Sequence, residues 1–200
     1  MSLVLPWEVI EIVIDHASDD LDLLRSFVLT CRQLRPCSFS LIMAQYVFLN
    51  SRDRASAFCD FLQSKATLRQ RIHSISISPA DFRPFPLINM LPRLSTLFVS
   101  CGYKKYGRRY DRPIVELHPT IINCYHSFGR RIHTLSLDHL SFRTPCDFFR
   151  LVLAFPRITQ LTCNDILIAS PGLRASAMEV VRRKLSKQLP LEILHVRIHL

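Results

Sequence analysis

Glycine is scarce in this 200-residue chain, with four residues against twelve prolines, and no homopolymer or Ser/Gly-rich tract occurs. That excludes collagen-like repeats, flexible linkers and wholesale disorder, and leaves little material for glycine loops that cradle phosphate. Long apolar runs are missing too. The longest stretch without Asp, Glu, Lys or Arg, Pro36 to Ser51, has 16 residues, contains Ser, Gln and Asn, and falls short of a membrane span. The N-terminus lacks a basic start and turns acidic at Glu8, the wrong charge order for a secretory or mitochondrial signal. Together these features point to the cytoplasm or nucleus, with no membrane partner. The seven cysteines are odd in number in a chain large enough to have its own core, so they read as reduced thiols, mostly small core residues. There is no C-x-x-C, H-E-x-x-H or G-x-S-x-G, and Cys124-Tyr125-His126 has no second half. The expectation is a protein that is not an enzyme, with no catalytic residue, cofactor or metal.

What is present is a globular composition, 48% hydrophobic and 21% charged, with the charge divided unevenly. Residues 1 to 60 carry five Lys/Arg against eight Asp/Glu, whereas residues 61 to 200 carry twenty-one against eight. Such an asymmetry suggests two modules with different partners. In the first, Pro6 is placed to start a helix whose acids stand at 8, 11 and 15 and whose apolar side chains stand at 9, 10, 12, 13 and 14. A second run from Leu21 to Arg35 is expected to stop at Pro36, and a third spans Phe39 to Ala44. Three short helices in about 40 residues enclose little core, so this module should pack on the rest of the chain or offer an apolar face to a partner.

The order Leu5-Pro6-x-Glu8-Val9-x-x-x-Val13, then Leu24 and Val28-Leu29-Thr30-Cys31-Arg32-x-Leu34-Arg35, resembles the F-box, in its fungal variety, over roughly residues 4 to 49. Leu34 stands where that family usually has a bulky aromatic. The resemblance implies docking on a Skp-type adaptor and, through it, on a cullin–RING ubiquitin ligase. Carried over by position, Leu5, Pro6, Val9, Val13, Leu24, Val28, Cys31 and Leu34 would form the adaptor-facing surface or the core directly beneath it.

The second module repeats. Five segments share the frame L-x-x-L-x-L, namely Ile72 to Ile77, Leu94 to Val99, Ile132 to Leu137, Ile158 to Cys163 and Leu191 to Val196. Arg71-Ile72-His73-Ser74-Ile75 and Arg131-Ile132-His133-Thr134-Leu135 are near copies, which explains His73 and His133 as shared pattern rather than ligands. Fourth positions are 22, 38, 26 and 33 residues apart, within reach of leucine-rich repeats carrying insertions. Helices are expected after Thr144-Pro145 and after Ser170-Pro171, another over residues 53 to 63, and a preliminary strand at Tyr46 to Leu49.

The predicted fold class is therefore α/β: a three-helix F-box over residues 1 to 50, then an irregular leucine-rich-repeat solenoid of about five strand–helix units with parallel strands over 51 to 200. The last strand-forming segment runs up to Leu200, so a truncated or decayed array with a frayed end is expected. Third, fifth and seventh positions alternate away from the core onto a solvated, hydroxyl-rich face, where Ser76, Phe98, Ser136, Thr162 and His195 are candidates for binding a protein target. An alternative lies in GYKKYGRRYDR, whose Lys104, Lys105, Arg108, Arg109 and Arg112 alternate with tyrosines and suit RNA or DNA. A repeat-based interaction protein without ligase attachment is the other alternative.

Overall fold

The computed structural model describes residues 6–18, 20–30, 32–45, 47–78, 85–100, 114–116, 118–169 and 187–199, with Arg183 and Leu185. The chain is α/β, and its centre is an open parallel sheet of seven strands. No helix among the described residues is long and apolar enough to cross a membrane.

Three helices come first. α1 (Trp7–His16) starts from Pro6, whose carbonyl accepts from the Val9 and Ile10 amides. α2 (Leu21–Thr30) is capped by the Asp20 carboxylate, which accepts from the Asp22 and Leu23 amides at 3.1 and 2.9 Å. Pro36 does not end this run as expected. It sits in the first turn of α3 (Arg35–Gln45), where a missing N–H costs nothing, and the chain breaks earlier, after Thr30. Ile14, Ala17 and Leu24 are the buried centre of this module, with Ile10, Phe27, Leu34, Cys37, Leu41 and Ile42 packed around them. That core is small. α3 also enters the main core, through Met43, through an edge-to-face contact of Phe39 with Phe61 at 5.9 Å, and through Ser40 Oγ, which accepts from Arg71 Nη1 at 3.0 Å.

The sheet follows. β1 (Phe48–Leu49), β2 (Ser74–Ile77), β3 (Thr96–Ser100), β4 (Thr134–Asp138), β6 (Gln160–Ile168) and β7 (Ile193–His199) pair in parallel in chain order. The frame aligns across it: Ile75, Leu97, Leu135, Leu161 and Leu194 are successive partners in register. At the start of each strand, the carbonyls of His73, Ser95, His133 and Thr159 each accept two amides from the next unit, so one turn geometry recurs four times. Fourth and sixth positions of β2, β3, β4 and β6 are buried, as the frame requires.

Helices α4 (Arg52–Ser64), α6 (Phe85–Met90), α7 (Pro119–Gly129) and α8 (Pro145–Leu153) put Phe58, Leu62, Leu87, Tyr125, Phe128, Phe148 and Leu151 into the same core, Leu91 joins it just past α6, and the short α5 (Ala66–Arg69) leads into β2. α8 begins as anticipated, with Thr144 Oγ1 accepting from the Asp147 amide and donating to the Asp147 carboxylate. α7 begins on His118, whose ring accepts from the Thr120 amide, with Pro119 in the first turn. At its end Gly129 lies against the Ala154 carbonyl of the next unit, which a β-carbon would meet at 2.1 Å. The expected helix after Ser170-Pro171 falls mostly outside the described residues.

One feature of the repeat extends beyond the L-x-x-L-x-L frame. After Asp138 and Asn164, which are partners, His139 and Asp165 both take positive φ, 53° and 54°, and His139 Nδ1 lies 2.6 Å from Asp165 Oδ2. Beyond this shared kink, β5 (Ser141–Phe142) resumes pairing with Leu167 and Ile168. Leu140, Phe142, Ile166 and Ile168 are buried, adding two core positions to each unit.

The cysteines depart from expectation. Among those described only Cys163 is buried, Cys37, Cys59 and Cys124 are half-buried and Cys146 is exposed on the first turn of α8. Burial pushes the Cys163 thiol from 9.0 up to about 12. Between those values the folded chain keeps a proton that the unfolded chain has released, so this contribution is complete below about pH 9 and is lost as pH rises towards about 12. In urea unfolding, the wild type is expected to lose about 2 kcal/mol more than Cys163→Ala between about pH 8.5 and about pH 10.5. Equal losses would remove Cys163 from the account.

Candidate interaction surfaces

Two surfaces collect the residues singled out in the sequence. On α1, at about 100° per residue, Ile10, Ile14 and, just past the helix end, Ala17 share the stripe that enters the small core. Glu8, Glu11 and Asp15 form an exposed acidic stripe, and Trp7 Nε1 donates to Glu11 Oε1 at 2.9 Å. The remaining stripe is mainly apolar yet uncovered: Val9, Ile12 and Val13 are 40%, 56% and 50% exposed, with the exposed His16 among them in the last turn. A water-facing stripe of branched apolar side chains is suited to docking a partner.

The residues assigned from the F-box resemblance divide accordingly. Pro6, Val9 and Val13 are exposed and Val28 is half-buried. Leu34 is half-buried against the small core, and Leu24, fully buried, belongs to that core rather than to its surface. Leu5 and Cys31 lie outside the described residues. Ile12, and Leu29 at 84% exposure, were not among the assigned positions, although Leu29 stands within the F-box-like motif. Helical phase was the available signal for Leu29, which stands about 140° around α2 from Leu24.

The second surface is a row across the sheet. Phe48, Ser76, Phe98, Ser136, Thr162 and His195 are successive in-register partners on β1, β2, β3, β4, β6 and β7. All five candidates for target binding therefore stand in one line, and Phe48 joins them. At about 4.8 Å per strand the row is about 24 Å long. Phe98 and His195 are exposed, Ser136 and Thr162 half-buried. Ser76 is buried, contrary to the expectation of a solvated face, because its short side chain stands between Phe48 and Phe98. Ser78 is buried as well.

Lys104, Lys105, Arg108, Arg109 and Arg112 lie outside the described residues. Among the described residues, no group of three or more His, Cys, Asp or Glu is placed to hold a metal ion. No protein-family model, curated protein or solved structure matches the chain.

Proposed function

We propose that this chain is a non-catalytic substrate-recognition subunit of a Skp–cullin–F-box ubiquitin ligase. In this reading α1 to α3 are an F-box that docks a Skp-type adaptor, and the repeats form a leucine-rich-repeat solenoid whose fifth-position row receives a protein target. The mechanism is proximity: holding adaptor and target on one chain raises the target's effective concentration near the charged ubiquitin carrier.

The observation that carries the reading is the Val9, Ile12 and Val13 stripe, apolar and left uncovered by the chain's own cores, on the helix that begins with the F-box-like Leu-Pro-x-Glu order. The mixture of Phe98 and His195 with short hydroxyl side chains supports target binding, because aromatic anchors on a polar sheet face combine buried area with orientation.

Mixing the purified chain with a purified Skp-type adaptor tests the ligase arm, with a stable 1:1 complex as the expected result. No detectable complex would remove it. For the target arm, Phe98→Ala with His195→Ala is expected to weaken a target found by proximity labelling by about 1–3 kcal/mol, with little salt dependence. A tight, salt-steep complex with RNA that survives this change would instead favour the GYKKYGRRYDR alternative.

A further inference from the structure

The turns that enter the strands repeat a charge as well as a shape. Residues 69–74, 91–96, 129–134 and 155–160 run from the helix end into the first residue of the strand in four neighbouring units. Together they hold six arginines, two histidines, no lysine and no Asp or Glu. Arg71, Arg93, Arg131 and Arg157 occupy one repeat position, each four residues before the in-register partners Ile75, Leu97, Leu135 and Leu161. Arg71, Arg93, Arg130 and Arg157 are exposed. Arg131 is half-buried and reaches back one unit, donating to the Leu91 carbonyl at 3.3 Å. Among the described residues Arg93, Arg130 and Arg157 take part in no ion pair, the pairs there being formed by other side chains. The fifth unit breaks the pattern, with Pro190 in the arginine position and Glu192 two residues on.

We propose that this arginine ladder is a docking strip for an acidic, carboxylate-rich segment of a partner polypeptide. Four strands at about 4.8 Å spacing set the ladder's Cα span at about 14 Å, the length of four or five extended residues. Guanidinium forks match carboxylates in a way that ammonium groups do not, and the strip contains arginine without lysine. Nucleic acid fits less well. Single strands need broad aromatic platforms, and the only Phe, Tyr or Trp in these four segments, Phe155, is fully buried, which leaves the smaller rings of His73 and His133. The proposal goes beyond the ligase reading, since it requires neither the α1 stripe nor the fifth-position row.

The test uses the full chain and a labelled peptide of eight glutamates, followed by fluorescence anisotropy at low salt. Arg93→Gln, Arg130→Gln and Arg157→Gln together are expected to weaken binding about tenfold and to flatten its salt dependence, with the circular dichroism spectrum unchanged. A second variant, with Lys104, Lys105, Arg108, Arg109 and Arg112 changed to Gln, is expected to lose less. A larger loss in that second variant, unchanged binding in the first, or displacement of the peptide by an oligouridylate of equal charge would each overturn the proposal. Adaptor binding by the triple variant is expected to remain at the wild-type level, so failure here and failure of the ligase reading are separately visible.

Discussion

A chain carrying Val9→Asp and Val13→Asp is expected to lose capture of a Skp-type adaptor by at least about 100-fold, while its thermal unfolding shifts little. Both side chains are already about half in water, so replacing them removes little buried area from the small core. At an interface the same carboxylates would have to shed their water against apolar partner atoms, a penalty of several kcal/mol. Leu24→Asp is the contrasting change: it puts a charge where no solvent reaches and is expected to unfold α1 to α3 outright. Isothermal titration with purified adaptor and circular dichroism on the same samples separate the two outcomes. Adaptor affinity unchanged by the double substitution would move the docking face off α1.

Phe155→Ala is expected to cost about 3–5 kcal/mol, a large part of the roughly 10 kcal/mol that holds an ordinary domain folded. Phe155 is fully buried between two units, with Tyr125 and Phe128 of α7 at ring-centroid distances of 5.4 and 6.2 Å. Deleting its ring leaves a cavity bordered by a helix end with little room to settle inward, because even a β-carbon at Gly129 would collide with the Ala154 carbonyl. Half-buried Phe149, on the same helix as Phe148, provides the control, and Phe149→Ala is expected to cost clearly less. Urea midpoints would measure both. Equal costs would mean that the inter-unit contact is not a centre of stability.

Five strands were legible because each packs its fourth side chain against the same core, fully buried in the first four and half-buried at Leu194, and that demand leaves a recurring apolar frame. β5 was not, although Leu140-x-Phe142 and Ile166-x-Ile168 continue the alternation. The interrupting kink needs positive φ, and its residues in the two units, His139 and Asp165, share tolerance of that conformation but no obvious chemical likeness. α7 was not specifically placed because His118 is an uncommon cap, and Pro36 was misjudged because a proline that stops one helix serves equally well in the first turn of the next. For the surfaces, the line from Ser76 to His195 followed from repeat position alone. The α1 stripe did not, since a helix apolar over more than half its circumference does not say which side its neighbours cover. Only the packing of Ile10, Ile14 and Ala17 distinguishes that side.

α3 is held at both ends of this arrangement, by Cys37, Leu41 and Ile42 on one side and by Met43, Phe39 and Ser40 on the other. A hinge there would have to part Phe39 from Phe61 and free Arg71 from Ser40, so the two ends of the chain turn together like the arms of a bracket. On the proposed reading, a target held on the sheet would be offered at one heading relative to an adaptor held on α1, and only the part of it within that fixed arc would come into range.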